Sequence, residues 1–152
     1  MIRIIASLFL LLYTVHADYE VIEKENIFTI KTNDITFKEL YLNLKDEINF
    51  QSYVIVHELN LAKSTKSIAQ ALDKKAVVKN GVNLLICKSS FTLEMHEENV
   101  HNMTFCPMVI SVYEDKFSNY ISFRKYHPLK EGDMMYKKIN SKLKKVILNS
   151  LN

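Results

Sequence analysis

The chain predicts an α+β domain, one predominantly antiparallel sheet with helices packed on it in the order β-α-β-α-β-α-β-β-α. Three observations lead there. Short stretches rich in β-branched and aromatic residues alternate with stretches of helical period. Two of the strand stretches are neighbours, joined by a link far too short for a parallel crossover. Composition is that of an ordinary globular chain, with 152 residues, 48% hydrophobic and 24% charged, long enough for one core to bury roughly two thirds of the unfolded surface.

Residues 1–17, MIRIIASLFLLLYTVHA, read as a secretory leader. Arg3 supplies the positive start, the apolar run extends from Ile4 to Val15, and Val15 and Ala17 are the small residues before a cut after Ala17. The run is shorter than the roughly 20 residues needed to cross a bilayer as a helix. A single domain, residues 18–152, is therefore expected in the periplasm or outside the cell, with no membrane span after the leader is removed.

Ile27 to Lys31 alternates as a short strand and Asn33-Asp34 ends it. Thr36 and Glu39 have capping-box spacing, and Phe37, Leu40, Tyr41, Leu44 and Ile48 fall within about 100° of one another on a helix. Tyr53 to Leu61 is the next strand, Ser64 to Leu72 a second helix, and a lysine-rich link runs to Gly81. Val82 to Cys87 is a strand whose unbroken Leu84-Leu85-Ile86 suits a central position covered on both faces. Phe91 to Met103 has helical propensity without a clean stripe. Met108 to Tyr113 and Asn119 to Tyr126 form a hairpin across a polar link. Asp133 opens a last helix with Met135, Tyr136, Ile139, Leu143, Val146 and Ile147 on one stripe.

Several classes are excluded. The two glycines, Gly81 and Gly132, stand alone, so neither a phosphate-binding P-loop nor a GxGxxG dinucleotide turn can form. HExxH, GxSxG and CxxC patterns are absent. Net charge is +3, yet Lys137, Lys138, Lys142, Lys144 and Lys145 stand in residues 134–152 without one acid. A solvated helix face accounts for them; an exported chain meets little nucleic acid, so anionic lipid or an acidic partner is the remaining use.

The element order and four strings resemble the domain of unknown function 302 family over about residues 26–148. They are Thr36-Phe37-Lys38-Glu39 at the first helix, Tyr53-Val54-Ile55-Val56-His57-Glu58 as the second strand, Cys106-Pro107-Met108-Val109-Ile110-Ser111-Val112-Tyr113-Glu114 entering the hairpin, and Tyr126-His127-Pro128 leaving it. The resemblance implies a compact, often dimeric sheet domain with no established catalytic activity, of bacterial or archaeal type. The chain departs from it at Lys88-Ser89-Ser90, where many members have Gly-Asn-Pro, and in the order Cys106-Pro107.

Cys87 and Cys106 remain after export. Three readings stay open for them: a disulfide, two separate buried thiols, or a redox or metal-binding pair. Residues 95–108 concentrate methionine, histidine and cysteine, the soft donors that select copper(I), with zinc as the other candidate. Cys106, His101, Met103 and His96 are the expected ligands, although on one continuous helix His96 and His101 would point about 140° apart. His57, between Ile55 and Leu59 on one strand face, reads as a hydrogen-bonded core histidine. His127 and Tyr126, at a strand exit, are the residues expected to face a ligand. Asn102-Met103-Thr104 matches a glycosylation acceptor, a coincidence if the source is bacterial as the resemblance implies. The expected function is an exported ligand-binding or interaction module without catalytic activity, its partner a small ligand, a protein or a second copy. The alternative is a soft-metal or thiol-redox protein built on Cys87, Cys106 and the Met/His segment.

Overall fold

The structure, a computed structural model, describes residues 18–151; the expected leader lies outside them. Among these residues six strands, β1 (Glu20–Glu23), β2 (Ile27–Thr32), β3 (Val54–Asn60), β4 (Asn80–Cys87), β5 (Met108–Glu114) and β6 (Asn119–Arg124), make one sheet. Its order is β1-β2-β6-β5-β4-β3 and every pairing is antiparallel. Among the described residues there are also four α-helices, α1 (Phe37–Phe50), α2 (Leu61–Ala71), α3 (Ser89–Glu98) and α4 (Met135–Asn149), with a 3-10 turn at Val100–Phe105. The α+β class and element order stand as expected, with β1 added.

β1 hides in sequence because two of its four residues are glutamates; its strand character comes from the ladder it makes with β2, where Lys31 also pairs with Glu20 at 2.9 Å. Just before it, the Asp18 amide donates to the Asp34 carboxylate at 3.0 Å. α1 starts where expected. Thr36 and Glu39 form the reciprocal capping box, and Leu40, Leu44 and Ile48 are fully buried. α2 starts earlier than Ser64, because the Asn60 side chain accepts from the Lys63 amide at 2.9 Å and lets the helix follow β3 directly.

The third helix stops at Glu98, short of the expected Met103. Asn99 adopts an extended backbone and its side chain accepts from the His101 amide, so the chain restarts as a 3-10 turn. α4 begins at Met135, after Asp133, because its cap comes from elsewhere: Glu98 Oε1 accepts from both the Met134 and Met135 amides at 2.9 Å. In the β5–β6 turn, Asp115 accepts from the amides of Phe117 and Ser118, and these bonds hold its carboxyl below the usual range.

One sheet face is the core. Phe28, Ile30, Leu84, Ile86, Met108, Ile110, Val112, Ile121 and Phe123 project there against Leu40, Leu44 and Ile48 of α1, Phe91 and Met95 of α3, and the Ile139–Ile147 stripe of α4. Strand registers put Asn83, Ser111, Ser122 and Thr29 side by side on the opposite face, with Gly81, Tyr113, Tyr120 and Lys31 in the next row. β4 is flanked by β3 and β5, but Leu85 on this second face is only half-buried.

Candidate binding groove

Polar residues in strands signal the unburied face, and here that face is partly roofed. β3 passes into α2 without a loop, so α2 folds back over the sheet at β4. Missing side-chain bulk at Gly81 leaves room for Val78, in the link that follows α2, while Ala62 of α2 sits at ordinary contact distance. A Cβ at Gly81 would lie 3.1 Å from Val78 Cγ1 and 3.6 Å from the Cβ atoms of Ala62 and Tyr113. Ala62 is the residue of α2 that becomes buried. Away from this contact the helix stands off the strands and leaves a groove of about 310 Å³, at the lower end of the range for small-molecule sites.

Leu61, Ala62, Val78 and Tyr113 give the groove apolar walls; Thr65, Asn83, Ser111 and Ser122 give it hydroxyls and one amide. Ser111 Oγ donates to Asn83 Oδ1 at 2.8 Å, fixing both groups on the floor. Among the described residues that line it there is no carboxylate, imidazole or ammonium. Such a lining can bind an apolar body and orient it through a few hydrogen bonds. Sequence reading missed these residues. Asn83, Ser111 and Ser122 become one row only once the register of three strands is known, and Gly81, noted there as the end of a link, packs against Val78 of that link and Ala62 of α2.

The residues singled out from sequence lie elsewhere. Cys87, closing β4, and Cys106, after the 3-10 turn, are disulfide-bonded with Cα atoms 6.2 Å apart, within the range a bridge requires. The Thr92 hydroxyl lies 3.6 Å from Cys106 Sγ. Inside the closed segment, His96 is half-buried with a buried Nε2 that has no hydrogen-bond partner. His101 and Met103 are exposed on the 3-10 turn. Among the described residues no three His, Cys, Asp or Glu side chains meet as a metal-holding group. Asn102 of the glycosylation pattern is fully buried, its amide donating to the Met95 carbonyl, and so is unavailable as an acceptor in the folded chain.

His127 is exposed, whereas the Tyr126 ring packs edge-on against Phe105 at 5.3 Å, and burial raises its hydroxyl pKa. The Tyr126 backbone is pinned on both sides by the Asn140 amide. His57 requires a correction, being exposed. A register shift between Ile55 and His57 pairs Ile55 with Ile86 but His57 with Leu85, so the two project to opposite faces of an edge strand. Next to it, Glu58 bonds the Tyr41 hydroxyl and the Lys45 ammonium. These contacts raise the pKa of Tyr41 and Lys45 and lower that of Glu58.

No family model matches the sequence, and no curated protein does. Among solved structures, the chain is similar to the crystal structure of the uncharacterized conserved protein DUF302 from Bacillus stearothermophilus, with a TM-score of 0.65 and 16% identity over 84% of this chain and 97% of that one. At that identity the likeness establishes a shared fold, the one the family resemblance implied.

Proposed function

We propose that this chain is an exported binding module whose ligand, a small and mainly apolar molecule with one or two hydrogen-bonding groups, occupies the groove beneath α2. The carrying observation is the lining: aliphatic and aromatic walls over a floor ordered by the Ser111–Asn83 hydrogen bond. The groove recommends binding over turnover because its hydroxyls face no base with which to share a proton. Export rests on the leader at residues 1–17, with the periplasm as the expected location.

The test uses a neutral, environment-sensitive dye, N-phenyl-1-naphthylamine. Saturable fluorescence enhancement is expected, with affinity reduced at least tenfold in Thr65→Trp, which fills the groove from an exposed helix position. Equal binding by both proteins would refute the assignment.

A second reading, thiol redox or soft-metal chemistry, draws support from the Cys87–Cys106 pair. While the bridge is closed Cys106 offers no thiolate, so copper or zinc held by Cys106, His101, Met103 and His96 would require the reduced form. Copper(I) affinity that is the same before and after reduction would discard it.

A further inference from the structure

The five lysines near the C-terminus do not behave as one solvated face. Lys138 pairs with Glu94 and Lys144 with Glu23. Lys142 is half-buried and, among the described residues, forms no ion pair; its ammonium lies 4.9 Å from the Phe91 ring centre. Lys138 reaches the same ring at 6.0 Å. From the β4–α3 junction, Lys88 lies over Tyr53 and donates to the Gln51 carbonyl at 2.9 Å. α3, ten residues long, opens directly after Lys88 with no side-chain cap, so its positive end adjoins Lys88.

We propose that Lys142 and Lys138, over the Phe91 ring, together with Lys88, three residues before Phe91 at the start of α3, form a binding site for a phosphate-type oxyanion. Lys142 and Lys88 are half-buried and Lys138 is exposed, with the Glu94 carboxylate beside Lys138 alone; like charges brought together in this way repel, and a multivalent anion relieves that repulsion. Burial and the fields of Lys138, Lys88 and Lys145 depress the Lys142 pKa, as expected of a cation short of counter-charge. Lysine suits phosphate oxygens as a point charge, and the buried Phe91 ring, only 3% exposed, holds the two α4 ammoniums by cation–π attraction. Phe91 belongs to the core that covers the other side of the sheet, so this site is independent of the groove under α2.

Pyrophosphate titrated into the protein at low salt reads the site by calorimetry, beside sedimentation with phosphatidylglycerol vesicles and phosphatidylcholine controls. Lys142→Gln is expected to weaken pyrophosphate binding at least tenfold, while Lys137→Gln, an exposed lysine of the same helix, changes it less than twofold. Lys142→Met, which keeps the aliphatic stem on Phe91, should show the same loss with a melting temperature no lower than that of the parent, separating lost charge from lost fold. Binding confined to phosphatidylglycerol vesicles but abolished by Lys142→Gln would also support the site, with a lipid headgroup as its source. Failure to bind either probe, or equal effects of Lys142→Gln and Lys137→Gln, would overturn it.

Discussion

Glu58 accepts from Lys45 and from Tyr41, and these bonds hold its carboxyl below the ordinary glutamate range. A carboxylate whose pKa is lower folded than unfolded adds stability above the unfolded value, about 4.3, and loses it as pH falls through the folded one. Because the pair is partly exposed, its worth at neutral pH is of order 0.2–1 kcal/mol. Glu58→Gln should therefore be less stable than the parent at pH 7 and nearly equal to it at pH 3. Urea melts at the two pH values decide this, and a gap of the same size at both would refute it. At this scale sequence was legible where the determinant is local, as in the Thr36–Glu39 box, three residues apart. It was not legible at His57, whose face depends on a bulge defined only by pairing with β4.

Helix α4 illustrates a dependency between elements. Its first amides are satisfied by Glu98, the last residue of α3, across 36 and 37 positions of sequence. Glu98→Ala should cost about 1 kcal/mol, as loss of a capping acceptor does, and Glu98→Gln less, since its carbonyl still accepts. Denaturant midpoints followed by far-ultraviolet circular dichroism check the order, and equal midpoints for Ala and parent would refute the cap. Periodicity identified α1, α4 and the hairpin because each carries its own stripe or alternation. β1 and the end of α3 escaped it. The first is a strand through its partner, and the second is set by the Asn99 side chain turning back on the His101 amide.

Across the whole molecule, the Cys87–Cys106 bridge closes α3 and the 3-10 turn into a loop with a sequence separation of 19. On the chain-entropy model such closure stabilises by about 3 kcal/mol. Cys87→Ser/Cys106→Ser should lose roughly that much in urea melts, with its sheet signal kept below the transition; parent-like stability would show that the bridge contributes nothing. The pairing was one of three alternatives in sequence, because only the layout of β4 and β5 decides whether two distant sulfurs meet. The groove was less legible still, being the space between a helix and a register-defined row. The Asp18 amide nitrogen, 3.0 Å from the Asp34 carboxylate, adds a consequence for maturation. Should a peptidase cut after Ala17, that nitrogen becomes a charged amine opposite an acid, and trimming the precursor would fasten the outermost strand more firmly than before.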